Sequence, residues 1–235
     1  MNNRYRQSFY RTVCLLCMLG FLLSSCATGF NYLPRTPLAL RASGNYTPKS
    51  RVRRGEDLSS VQERIVAGAD YVKGKRSLVI NGRRFNWDCT GTILSIYYYA
   101  GIDLQKEFAD YTGNGVTRLH KMAEHYGLLY DTRDPVPGDI IFWDNTYDRN
   151  HDGKWNDLLT HAGVVVSTEP DGTIEYIHHN YRRGIVVEKM NLHEPDATEV
   201  NSPLRMKSDR WVRPDRWLSS HLYRDFGMLY DLPTS

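Results

Sequence analysis

The apolar pattern of this chain changes period once, and that change limits the folds open to it. Val61, Ile65 and Val72 recur at helical spacing behind Ser60-Val61-Gln62-Glu63, which has the form of a capping box, so a helix is expected over about 60–72. After Asp88 the residues Ile93, Leu94, Ile96 and Tyr97 repeat the helical spacing as far as Gly101. Val116, Leu119, Met122 and Ala123 mark a third helix over about 116–126, closed by Gly127. Between the first two, Asn81-Gly82 separates short apolar runs and signals a hairpin over 77–85. Beyond Pro135 and Pro137 the helical spacing stops, and 139–143, 161–167, 173–179 and 184–190 read as strands. Helices first and an antiparallel meander afterwards make an α+β fold. Residues 193–235, with Trp211, Trp217 and Tyr223, are expected to pack a last helix onto the domain.

The N-terminal segment is read as an address. Arg4, Arg6 and Arg11 form a positive region, and residues 12–23 form an uncharged apolar run. That run is shorter than the roughly 20 apolar residues of a membrane-spanning helix but fits a signal peptide. It ends in Leu23-Ser24-Ser25-Cys26, which resembles the lipobox of bacterial lipoproteins, so Cys26 is the expected lipidation site and residues 1–25 the signal peptide. The same resemblance to Gram-negative lipoproteins implies, from Ala27 after that cysteine, the outer membrane facing the periplasm. Residues 26–57, with Pro34, Pro37 and Pro48 and no sustained apolar period, read as a tether, and 58–235 as the folded domain. Removing the three arginines of the signal leaves 27 basic against 27 acidic residues, so a nucleic-acid partner has no electrostatic footing.

Cysteine usage then singles out one thiol. Cys14 and Cys17 leave with the signal and Cys26 takes lipid, so Cys89 has no disulfide partner. It is either a small buried hydrophobe or a nucleophile. Asp88 or Thr90 caps the helix that follows, placing Cys89 in its first turn, where the helix dipole favours a thiolate. His161 opens an apolar strand, and a hairpin through Asp171-Gly172 returns His178 or His179 to its neighbourhood, the choice depending on register. One imidazole would then take the thiol proton while a second group orients it.

Four segments in order carry a family resemblance. Asp88-Cys89-Thr90-Gly91 resembles the Asp-Cys-Ser-Gly signature of NlpC-type papain-like cell-wall peptidases, relatives of the CHAP amidases. Pro137-Gly138-Asp139 resembles the family's Pro-Gly-Asp strand, Thr160-His161-Ala162-Gly163-Val164 its His-Val-Gly-Ile strand, and Glu175-Tyr176-Ile177-His178 the segment bearing the third catalytic residue. The resemblance covers about 67–192 and implies a papain-like α+β domain, N-terminal helices packed on an antiparallel sheet. It implies Cys89 as nucleophile, His161 as base and His178 as its orienting partner, with no cofactor required for the chemistry. Asp88 and Tyr71 are implied at the substrate, Tyr71 with a core position as its alternative. The implied reaction is hydrolysis of amide bonds in peptidoglycan stem peptides, next to D-glutamate. The alternatives are an amidase cutting between muramic acid and L-alanine, and a non-catalytic peptidoglycan-binding lipoprotein. Peptidoglycan and, through lipid, a membrane are the expected partners.

Two stretches depart from the family pattern: the basic connection 75–86 and an insertion at 144–160. The insertion contains Asp148-x-Asn150-x-Asp152-Gly153, oxygen ligands at alternate positions before a turn glycine, like the opening of an EF-hand loop. Lys154 through its carbonyl and Asp157 would complete a structural calcium shell, although Leu159 stands where the bidentate glutamate belongs. The alternative is an Asp/Asn/Gly-rich surface turn.

Overall fold

In a computed structural model of the chain the described residues are 58–233. The expected signal peptide, the lipidation site Cys26 and the tether up to residue 57 lie outside them. The first helix, α1 (Ser60–Val72), begins behind Ser59 rather than behind Ser60: the Ser59 hydroxyl accepts from the Gln62 N–H, and the Gln62 side chain accepts from the Ser59 N–H. Both Ser59-x-x-Gln62 and Ser60-x-x-Glu63 satisfy the capping-box pattern. The register with Gln62 prevails because its amide is buried and also donates to the Pro137 carbonyl at 2.9 Å, joining α1 to the Pro-Gly-Asp segment. A hairpin of β1 (Leu78–Ile80) and β2 (Arg83–Phe85) follows, turning at Asn81-Gly82, both at positive φ. Then come α2 (Cys89–Tyr99), a 3-10 segment (Leu104–Asp110) and α3 (Gly115–His125), capped by Asn114.

The sheet has six strands, all paired antiparallel: β3 (Leu129–Tyr130), β4 (Ile140–Trp143), β5 (His161–Thr168), β6 (Thr173–Asn180), β7 (Gly184–Asn191) and β8 (Tyr223–Gly227). Their order is β3-β8-β4-β5-β6-β7. The α+β expectation holds. The C-terminal segment departs from expectation: it supplies a short helix, α4 (Ser219–Leu222), and then the interior strand β8, which pairs with both β3 and β4.

Alternation along the strands divides the interior into two layers. Ile140, Phe142, Ala162, Val164, Ile177 and Ile185 pack with the buried faces of α1, α2 and α3. Ile141, Trp143, Val165, Ile174, Tyr176, Met190 and Phe226 form the other layer, closed by Leu192, Leu204, Leu222 and Trp155. The family-like Pro-Gly-Asp corner is structural. The buried Asp139 carboxylate accepts from the Val136 N–H at 2.7 Å and the Tyr230 hydroxyl at 3.0 Å, and also from the Tyr130 hydroxyl. The Tyr97 hydroxyl of α2 donates to the Gly138 carbonyl at 2.7 Å, so the same corner fixes the helix that begins at Cys89.

Candidate active site

Asp88 is the N-cap of α2: its backbone is extended and its carboxylate accepts from the Gly91 N–H at 2.7 Å. Cys89 is therefore the first helical residue, as the sequence led one to expect. Gly91 is required there by close approach, since a Cβ would lie 1.9 Å from the Asn86 carbonyl oxygen. Cys89 as a residue is partly exposed, while its thiol sits largely surrounded by protein. Burial, with the Asp88 charge second, pushes it up to about 11, against opposing hydrogen bonds from the Thr90 hydroxyl and the Ala162 and Thr90 N–H groups. The expected thiolate at rest is thus not found: desolvation outweighs the favourable helix start, and the resting group is a neutral thiol.

Ala162 follows His161, so this contact sets Cys89 against the start of β5. The pairing of β5 with β6 runs from Val164 to Thr168, while 178–180 of β6 pair with β7 alone. The two strands part where the helix start meets the sheet. Across that opening His161 Nε2 lies 2.8 Å from His178 Nδ1. Gly163 between them is bare because a Cβ would lie 2.9 Å from the Ile177 carbonyl oxygen and 3.2 Å from the His178 Cβ. Burial, then the charges of His178 and His179, holds His161 well below the usual imidazole range, and burial with Arg183 pushes His178 down to about 3. Both rings are neutral at rest. With Nε2 of His161 engaged by His178, Nδ1 is the nitrogen left for the thiol proton. His161 makes no hydrogen bond to Cys89 in this state.

Register resolves the choice between the two neighbouring histidines. His179, on the opposite side of β6, packs edge-on against Trp87 with 4.3 Å between ring centroids. Burial lowers its pKa, opposed by the Asp88 charge.

Glu188 of β7, which sequence reading missed, stands behind His178. Its Oε2 is 3.1 Å from His178 Nε2, and both side chains are 2% exposed or less. The Tyr176 hydroxyl and the Asn180 amide donate to the same carboxylate at 3.3 Å each, and Arg183 pairs with Oε1. The signal available was the one acidic residue of β7, which follows the apolar run 185–187 and is buried while its neighbour Lys189 is exposed.

Tyr71 is not at this site. It stacks on Tyr99, 5.2 Å between centroids, at the far end of α2. Ten helical residues separate Tyr99 from Cys89, roughly 15 Å. At 45% exposure Tyr71 does not take the core position that was its alternative. Tyr147, from the insertion, is instead electrostatically coupled to Cys89; burial raises its hydroxyl pKa, and Cys89 and Asp157 raise it further against Arg149. A cavity of about 260 Å³ opens beside the helix start, bounded by Asn86, Asp88, Thr90, Gln105 and Arg118.

The insertion is closed at its neck. Asp144 accepts from the Leu159 N–H at 2.8 Å and pairs with Arg224 at 3.0 Å, and the Thr160 N–H donates to the Trp143 carbonyl at 3.0 Å. These bonds deliver His161 at the start of β5. Inside the loop Asp148 accepts from the Asp152 and Gly153 N–H groups at 3.2 and 2.8 Å, and Asp152 accepts from the Lys154 N–H at 2.9 Å. Asp157 does not join them as a fifth ligand. Among the described residues no three His, Cys, Asp or Glu side chains gather where they could hold a metal ion. Asp157 and Asp148, with Asp209, act instead on the buried guanidinium of Arg205.

A thiol in the first turn of a helix, set against a strand that carries a histidine pair, defines a cysteine hydrolase of papain-like build. Residues 80–180 match the family profile described as the CHAP domain. The matched stretch holds Cys89, His161 and His178 together and makes up about two fifths of the chain. Among solved structures the chain is similar to NlpC1 from Trichomonas vaginalis, at 18% identity and a TM-score of 0.36. That likeness covers 62% of this chain and 44% of the other, so it spans less than half the length of that protein. No curated protein matches the chain.

Proposed function

We propose that the protein is a lipid-anchored cysteine endopeptidase of the bacterial cell envelope, held through Cys26 at the outer membrane, that cleaves stem peptides next to D-glutamate. Cys89 is the nucleophile, His161 the base and His178 its orienting partner. The observation that carries this reading is the His161–His178 contact of 2.8 Å at the strand against which Cys89 is set. Because thiol and imidazole are both neutral at rest, attack on the scissile carbonyl is coupled to proton transfer from Sγ to His161 Nδ1. The oxyanion forms at the start of α2, where the Cys89 N–H and the helix dipole stabilise it. Collapse of the intermediate breaks the C–N bond, the leaving amine takes the proton from His161, and the thioester remains. His161 then takes a proton from the attacking water and returns it to Sγ as the carboxylic acid product leaves. The cavity beside Asp88 and Arg118 suits a stem-peptide residue bearing charged groups.

The CHAP match favours a second reading, an amidase that separates muramic acid from L-alanine with the same Cys89 and His161. Incubating the full chain in detergent with purified muropeptides and weighing the products separates the two. New D-glutamyl termini support the endopeptidase, whereas sugar chains released from intact stem peptides replace it with the amidase. Binding that survives Cys89→Ala, with no turnover by the wild type, would leave only a peptidoglycan-binding scaffold.

The proposal retains a structural calcium ion on Asp148, Asn150, Asp152 and the Lys154 carbonyl, supported by their alternate spacing before Gly153 at φ 69°. A chelator is expected to lower the melting temperature of the calcium-loaded protein, and an unchanged melting temperature removes the ion from the proposal.

A further inference from the structure

The proposed mechanism uses Cys89, His161 and His178, and leaves a buried carboxylate behind them without a task. Glu188 stands opposite Tyr176 on the neighbouring strand, and each group around it is a donor or a cation: the Tyr176 hydroxyl, the Asn180 amide, Arg183 and the His178 ring. An ionised carboxylate accepts only. Oε2 lies 3.1 Å from His178 Nε2, off the line of a hydrogen bond, and a carboxylate charge at that distance favours the tautomer with the proton on Nε2 over a bare nitrogen. A neutral imidazole with a proton on Nε2 has a bare Nδ1, and that nitrogen faces His161 Nε2 at 2.8 Å. His161 Nε2 is then the donor in its turn, and its own Nδ1 is bare.

We infer that Glu188 is a positioning residue that fixes the tautomers of both histidines, through His178 to His161, so that the base presents a bare Nδ1 to the Cys89 thiol. The assignment rests on the thiol–imidazole reading proposed above. It makes the site a line of four groups rather than three, with a charge only at the inner end. When His161 accepts the thiol proton, its positive charge is stabilised through His178 by the Glu188 carboxylate. Arg183 pairs with that carboxylate, and Tyr176 and Asn180 donate to it from the same strand neighbourhood. The other charged or titratable groups facing the line are His179 and Asp88 beside His161 and Cys89, and Tyr147 from the insertion. None of these touches Glu188.

Two measurements on the full chain test the assignment, and neither needs the natural substrate. Nitrogen-15 NMR of the wild-type imidazoles should show both His161 and His178 protonated at Nε2 and bare at Nδ1. The opposite tautomer on His178 overturns the proposal without any variant having to fold. The pH dependence of Cys89 alkylation by iodoacetamide gives the second readout. In Glu188→Gln the midpoint should rise by about one unit, a roughly tenfold loss of thiolate near neutrality, and Glu188→Asp should restore most of it. A role confined to stability would lower the melting temperature of Glu188→Gln and leave that midpoint where it is, which refutes the assignment. His161→Ala separates the two levels of the argument. If it shifts the midpoint while Glu188→Gln does not, only the Glu188 assignment falls; if wild type and His161→Ala coincide, the base reading falls with it.

Discussion

Cys89→Ala should abolish hydrolysis of cell-wall peptides and leave the protein folded. The nucleophile forms the covalent bond to the substrate, so its removal costs about 10⁵–10⁶-fold in turnover, with only residual binding and oxyanion stabilisation left. His161→Ala should cost nearly as much, because the thiol, pushed up to about 11, is protonated at neutral pH and needs a base at the moment of attack. The double variant should be no worse than either single one, since the two side chains act as a unit. Stability should change little in Cys89→Ala: the residue is partly exposed and the substitution removes one sulfur from the edge of the core. Muropeptide turnover, measured beside the melting temperature, checks both halves. Activity retained in Cys89→Ala would move the chemistry away from this helix start altogether.

What the sequence disclosed and what it hid follow one physical division. Features written in local spacing were legible. The first helix matches its expected bounds, and β5, β6 and β7 each run one residue past theirs. Cys89 stands at a helix start because Asp88 is a good cap, which needs only four consecutive residues to see. Features that depend on which strands become neighbours were hidden. Tyr223-Arg224-Asp225-Phe226-Gly227 has no clean alternation, yet it becomes an interior strand. Asp225 is accommodated there by His120 at 2.9 Å, a residue 105 positions earlier. Glu188 is assigned a part only once β7 is known to lie beside β6. Tyr71 was placed by the position of its segment in the family pattern, but the stacking of α1 on α2 carries it to the end of α2 remote from the thiol. The choice between His178 and His179 turns on the face of a strand, and register alone decides it.

The same desolvation that keeps both histidines neutral should make the fold acid-labile well above the carboxylate range. His178 is charged in the unfolded chain below about pH 6.5, whereas in the folded protein its pKa is pushed down to about 3. Between those values the unfolded state binds the extra proton, so stability rises with pH across the window and is lost as the solution is acidified. At about 1.4 kcal/mol per unit, the full window corresponds to at most about 5 kcal/mol from this one ring. His161, lowered by burial in the same direction, adds to it. Burial, with the Arg183 charge second, weighs against a charged His178 and sets the direction of the effect. The melting temperature should therefore fall steadily from pH 6.5 toward pH 4, and His178→Gln should flatten that fall. A wild-type melting temperature constant from pH 6.5 to pH 4.5 would contradict a neutral, buried histidine pair. Turnover should follow the same curve: a base that stays neutral into acid does not lose its proton-accepting nitrogen before the fold itself gives way, so the acid limb of the rate profile should coincide with unfolding and shift with any substitution that shifts stability.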